Sequence, residues 1–187
     1  MNKLRSSVVV LEKGCKTVTL YLSDNCFDLS IGNRVLKKDV LKMGIPLYSA
    51  NPNNVFGYVA SSNYSDFDRD SLIWGIDGNY QWNYIPKNTP FATTDHCGRL
   101  RVLNDNIVSE YVFYQLRESS GAYGFDRTFR ASLQNIKGVS VDIPVNESGE
   151  FDVQKQRDLV QRYISIDSTT DRVIQIIESA ILPQVDL

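Results

Sequence analysis

A single histidine limits what this chain could catalyse. His96 lies in the run Thr93-Thr94-Asp95-His96-Cys97-Gly98, between a carboxylate and a thiol. An imidazole beside a thiol is the raw material of a cysteine nucleophile. Adjacent residues on an extended chain point to opposite faces, so His96 and Cys97 are poorly placed as base and nucleophile. A zinc site lacks ligands, because there is no second His and Cys15 and Cys26 are distant in sequence. No Walker A loop, no GxGxxG and no Asn-Pro-Pro-aromatic motif is present. His96 therefore reads as a structural or hydrogen-bonding residue, and no catalytic residue or metal ligand is assigned.

Three polar segments carry a different chemistry. Gly44–Tyr58 (GIPLYSANPNNVFGY) presents Tyr48, Ser49, Asn51, Asn53 and Asn54 around turns. Ser71–Asn83 (SLIWGIDGNYQWN) joins an apolar strand to the turn Asp77-Gly78-Asn79. Gly124–Lys137 (GFDRTFRASLQNIK) sets Arg127, Arg130, Ser132, Asn135 and Lys137 among aromatic residues. These types suit DNA: Arg pairs bidentately with guanine, Asn with adenine, Lys holds phosphate, and Tyr or Ser donates to phosphate. Direct readout would use Tyr48–Asn54, Asp77–Asn79 and Arg127–Asn135, with Lys37, Lys38, Lys87 and Arg130 on phosphates. Each residue also has a commonplace alternative, since Asn and Gly serve turns for backbone reasons and Arg is often a solvated charge.

The net charge of -2 counts against nucleic-acid binding when taken alone. Distribution matters more than the sum. Lys37, Lys38, Lys42, Arg99, Arg101, Arg127, Arg130 and Lys137 lie mid-chain, which leaves room for a mild basic face.

The elements that must hold these segments divide near Pro144. Before it, strand-like runs at Lys16–Leu22, Ile45–Ser49, Gly57–Ala60, Leu72–Gly75, Gln81–Ile85, Gly98–Leu103 and Gly138–Ile143 alternate with Gly, Asn, Asp and Pro clusters. One helix interrupts them, with Ile107, Val108, Tyr111, Val112 and Leu116 on one face and Asn104 or Asn106 as its cap. After Pro144, Phe151 to Leu182 contains no Gly and no Pro. Leu159, Tyr163, Ile166, Thr170, Val173, Ile177 and Ala180 alternate by four and three, as in the seam of a packed helix. Ser165–Asp171 is weak in helix propensity and predicts a kink or break there. A helix this long exceeds what one small sheet can cover, so its outer half is expected to pack on another helix. The expected fold is α+β: a twisted, partly barrel-like, mainly antiparallel sheet with a few helices over 1–146, then a long C-terminal helix over 151–182.

At 187 residues the chain can bury one real core. Its 42% hydrophobic and 22% charged content is that of a globular protein. Three widely spaced Cys make no disulfide framework, and no apolar run reaches signal-peptide or membrane-helix length. A reduced, cytoplasmic protein without a membrane segment is expected.

Taken in order, GIPLYSANPNNVFGYV, SLIWGIDGN, PFATTDHCGRLRVL and GFDRTFRASLQNIKGVSVDIPVNESGEFDVQKQRDLVQRY resemble the motifs of a target-recognition domain of the type I restriction–modification specificity subunits. The match runs from about Leu29 to Ala180, and the ending "IP…G.FD..KQ" before a long helix is its most specific part. The resemblance implies a bacterial, non-catalytic DNA-binding protein with a twisted-sheet recognition domain that reads one half of a bipartite double-stranded target. It implies a conserved-region helix, here with Leu159, Tyr163, Ile166, Val173, Ile177 and Ile181, that packs on a second helix. It implies a DNA methyltransferase subunit, which would bind S-adenosylmethionine, and a separate restriction subunit; the chain itself would need no cofactor.

Full specificity subunits hold two recognition domains and two such helices, whereas this chain has one of each. It is thus expected to be a half subunit or a piece, and two copies paired through the helix would read a symmetric split site. Besides a cysteine hydrolase using Cys97, which the adjacent placement of His96 disfavours, two other readings stay open at this point. One is a recognition-domain fragment of a fused restriction–methyltransferase. The other is an interaction module or inhibitor that mimics a specificity subunit.

Overall fold

The computed structural model describes residues 16–77 and 80–181. Asn79 and Leu182, together with the side chains of Ala180 and Ile181, lie outside what is described. Nine strands are found among these residues: β1 Thr17–Tyr21, β2 Phe27–Ile31, β3 Ile45–Tyr48, β4 Gly57–Val59, β5 Ser71–Gly75, β6 Trp82–Ile85, β7 Ala92–Thr93, β8 Cys97–Val102 and β9 Ser140–Pro144. The α-helices are α1 Ser109–Ser119, α2 Leu133–Ile136 and α3 Val153–Ile181. All seven strand-like runs seen in the sequence are present, with ends shifted by a residue or two. Two strands were not foreseen: β2, although Phe27, Leu29 and Ile31 alternate with Asp28 and Ser30 as a half-buried strand should, and β7, which is only two residues long.

The strands form three sheets. Four antiparallel strands run in the order β2-β8-β5-β6, a second sheet runs β4-β3-β7, and β1 pairs with β9. Among the described strands only β3 and β7 pair in parallel. The sheets do not close into a barrel, so the architecture is α+β and mainly antiparallel without the closure that a barrel requires.

β5 sits inside the largest sheet, and all five of its residues are buried. Burial on both faces explains its unbroken SLIWG run. Leu72 and Trp74 face the main core with Leu100, Tyr111, Leu116, Ile143 and Leu159. Ile73 faces the other way, onto Ile85, Phe91 and Cys97, with Tyr48, Tyr64 and Phe67 at the edge. Cross-strand from Trp74 sits Gly98, where an added Cβ would come within 2.2 Å of the Trp74 ring. Only glycine lets that indole lie flat on β8.

The first turns of α3 belong to this core. Gln156 is fully buried; its Oε1 accepts from Val108 N at 2.8 Å and its Nε2 donates to Asn106 O at 3.0 Å. The start of α1 is thus served by a side chain from α3, and Val108, not an Asn, is its N-cap residue. Asn104 instead closes a turn by accepting from Asn106 N. Tyr163 stacks on Tyr114 with centroids 4.7 Å apart and planes 4° apart. Arg117 Nη1 reaches Asp167 at 2.7 Å.

The predicted break in α3 does not occur. The helix runs unbroken through 165–171, where Ser165, Ser168, Thr169 and Thr170 donate their hydroxyls to carbonyls one turn back. These bonds satisfy polar groups that would otherwise compete with the helix. Beyond this stretch α3 leaves the domain: Leu159 and Tyr163 are buried and Ile166 half-buried, but Val173, Ile174, Ile176 and Ile177 are exposed.

Candidate nucleic-acid interface

The hairpin register separates two ends of the four-stranded sheet. Trp74↔Trp82 and Gly75↔Cys97 mark the end bearing the β5–β6 turn, and Ser71↔Ile85 marks the opposite end. The turn end gathers the polar segments. Ala50 O lies so close to Gly75 that an added Cβ there would meet it at 2.2 Å. Asn83 Nδ2 donates to Pro52 O at 2.8 Å, and Asn53 Nδ2 donates to Gln81 Oε1 at 2.9 Å. The Tyr48–Asn54 loop is therefore stapled to the β5–β6 hairpin.

Within that loop the roles differ. Asn51 Oδ1 accepts from Asn53 N at 3.0 Å, an Asx turn that shapes the backbone. Ser49 Oγ pairs with Thr94 Oγ1 at 2.9 Å. Tyr48 packs edge-on to Phe91, and burial raises its hydroxyl above the usual phenol range. Asn51, Asn53 and Asn54 are exposed.

The Arg127–Asn135 segment arrives from across the chain at the same end. Ala131 N donates to Ile76 O at 3.2 Å, and Trp74 Nε1 donates to Ala131 O at 2.8 Å. Asp126 Oδ1 accepts from Thr128 N and Phe129 N, which folds a tight turn with Arg127 exposed on it. Ser132 caps α2 by accepting from Asn135 N, and Asn135 Nδ2 donates to Arg130 O at 2.8 Å. Ser132 and Asn135 thus organise this segment. Asp77 bonds Arg130 Nε through one oxygen and His96 Nδ1 through the other. Arg130's hydrogen bond is the strongest influence on Asp77, and with His96 it outweighs desolvation to hold the carboxyl below its ordinary range.

The chain's fold has close parallels among solved structures. A type I restriction–modification S subunit from M. genitalium superposes with a TM-score of 0.69 at 16% identity, over 95% of this chain and 49% of that one. The HsdS subunit from Thermoanaerobacter tengcongensis gives 0.66 at 10% identity, over 94% and 47%. A chain from a structure of type I R-M complex assembly and conformational transition gives 0.65 at 12%, over 95% and 49%. The fold is that of the type I specificity subunits. The chain spans about half the length of each of these three. No protein-family model matches the sequence, and no curated protein does.

On this specificity-subunit fold, not every predicted residue reaches the turn end. Lys87 follows β6 at the opposite end, beside an open groove of about 470 Å³ that Asp68, Asp70 and Asp105 also line. Lys37 and Lys38 form a short 3-10 turn between β2 and β3, are exposed, and make no ion pair among the described residues. Asn79 lies outside the described residues.

The basic face expected from the mid-chain cations is smaller than the sequence suggests. Arg99 is only 2% exposed: Nε donates to Ser71 Oγ at 2.9 Å, Nη1 meets Asp66 at 2.7 Å, and the guanidinium lies 4.6 Å from the Tyr64 ring centroid. Arg101 is paired with Asp28 and Asp66. Both cations pin the 60–70 loop to the sheet and are spent there.

The structure also exposes groups that residue typing did not single out. Phe56 is 62% exposed just beyond the Asn loop, and Phe129 is 51% exposed beside Arg130. Their apolar type predicted burial, and nothing in the sequence marks them as solvated. His96 was read as a hydrogen-bonding residue, and it is one, half-exposed at the turn end. Cys97, its neighbour, is wholly buried and burial pushes its thiol pKa far up. A neutral, enclosed thiol is a poor nucleophile, which argues against a cysteine hydrolase.

Proposed function

We propose that this chain is a DNA-recognition unit of a type I restriction–modification specificity subunit and reads one half of a bipartite target. The observation that carries the reading is the convergence of three segments on one end of one sheet, tied there by bonds between residues 28, 31 and 53 apart in sequence. Asn53, Asn54, Arg127, Arg130 and Gln81 offer amide and guanidinium groups of the kind that meet base edges. Tyr48 and Ser49 border them, while Lys37 and Lys38, exposed on the turn between β2 and β3, are assigned to phosphates. Lys87, at the far end among carboxylates, is left out of this surface.

The chain performs no chemistry in this reading. A methyltransferase subunit carrying S-adenosylmethionine modifies adenine, and a restriction subunit cleaves. The outer half of α3 provides the assembly surface: Val173 and Ile177 are one turn apart and solvated, as are Ile174 and Ile176. A second helix, from another recognition unit or a second copy of this chain, covers them. No helix of the described residues is long and apolar enough to cross a membrane.

Co-expressing the chain with a type I methyltransferase subunit and mapping methylated adenines across the host genome tests this directly. A split motif that appears only with the chain is expected. Methylation indifferent to its presence would refute the assignment.

A further inference from the structure

Asp77 is the meeting point of two exposed cationic or polar groups, although it is the least exposed of the three. Its side chain is 24% exposed, against 52% for Arg130 and 50% for His96. The backbone around it is tightly tied. Ile76 N donates to His96 O at 3.0 Å, and Ile76 O accepts from Ala131 N at 3.2 Å. Thr94 Oγ1 accepts from His96 N at 3.2 Å, and Asn135 holds the Arg130 carbonyl. The three carriers therefore cannot drift apart without breaking main-chain bonds.

The bonding pattern fixes which atoms face solvent. Arg130 uses Nε on Asp77, which leaves Nη1 and Nη2 without a partner among the described residues. An ionised carboxylate only accepts, so His96 Nδ1 must carry the proton it shares with Asp77. In the neutral ring Nε2 is then an acceptor. Nε2 sits 3.9 Å from Asp95 Oδ1, beyond hydrogen-bond range. With the ring neutral, the unit presents two guanidinium donors beside one imidazole acceptor. The major-groove edge of a G·C pair is the complement: O6 and N7 accept on guanine, and N4 donates on cytosine.

We propose that Asp77 is a positioning residue that holds Arg130 and His96 as one rigid contact group for a G·C pair in the major groove. This rests on the reading of the turn end as the DNA interface. Arg130 contacts guanine, His96 accepts from cytosine, and Asp77 itself touches no base.

The test is selection of bound duplexes from a random-sequence double-stranded library by the full chain and its variants, with thermal unfolding in parallel. The wild type enriches a motif containing a G·C position. Asp77→Ala and Arg130→Ala lower the preference at that same position by about tenfold to a hundredfold, leave the other positions intact, and lower the unfolding temperature only slightly, as expected for a largely solvated ion pair. Asp77→Glu restores the preference. If Asp77→Ala leaves the motif unchanged, or weakens every position alike, the positioning role is refuted while DNA recognition stands. If the wild type enriches no motif, the DNA reading falls and this inference with it.

Discussion

Trp74 Nε1 donates to Ala131 O at 2.8 Å, a buried bond that spans 57 residues and ties the central strand to the Arg127–Asn135 segment. Trp74→Phe keeps most of the ring but leaves that carbonyl unpaired. Removing one partner of a buried bond costs roughly 1–3 kcal/mol. We expect a loss of that size in urea unfolding, and a disproportionate rise in amide exchange at 126–135.

Arg99 anchors the 60–70 loop through Ser71, Asp66 and three aromatic rings. Arg99→Ala strands a partly solvated Asp66, so the cost falls near or below the lower end of the roughly 3–5 kcal/mol seen for broken buried pairs. Limited proteolysis should open first in this loop. Unchanged unfolding and cleavage would show that the cluster is ornamental.

Acid should weaken the fold through two carboxylates. At Asp66 burial raises the pKa, but the Arg99 hydrogen bond and the charges of Arg99 and Arg101 outweigh it and the net shift is down. Asp77 is lowered chiefly by Arg130. A depressed folded-state pKa adds stability that is present above the ordinary value of 3.8 and is lost as pH falls through the folded one. Denaturant midpoints should therefore drop below about pH 4, and Asp66→Asn should flatten that acid limb.

The two halves of α3 should respond oppositely to substitution. Tyr163→Ala removes a stacked, buried ring and should cost roughly 3–5 kcal/mol, as aromatic truncations in cores do. Ile177→Asp changes a side chain that is 51% exposed and should leave the melting temperature unchanged. It should abolish co-purification with a methyltransferase subunit and any self-association seen by sedimentation.

Lys37 and Lys38 are solvated and lie outside the stapled loops. Replacing each with Ala should weaken binding to all DNA sequences alike and reduce the slope of log affinity against log salt by about one. A change in sequence preference would place them on bases instead.

Much of the architecture was legible in the residues. Short apolar runs bounded by Gly, Asn, Asp and Pro clusters located seven strands, and the four-three alternation from Leu159 onward located α3. The outer apolar stripe at Val173 and Ile177 was expected to lie beyond the domain's reach, and it does. The break at Ser165–Asp171 failed because propensity counts residues singly, whereas Asp167 in this stretch is anchored to Arg117 of α1 and the four hydroxyls bond within the helix instead of interrupting it.

Local chemistry alone determined the residue types on offer: amides in turns, arginines among aromatics, one histidine, and a pattern of short strands before one long helix. Tertiary structure decided which of them share a surface. Arg99 and Arg130 are the same residue type, yet one is enclosed by Asp66 and Ser71 and the other is half in solvent on Asp77. Strand register sent Lys87 to one end of the sheet and the Asn53 loop to the other. Such partners are 20 to 60 residues apart in sequence. Their meeting follows from how sheets pair and pack as a whole, and no local window contains that information.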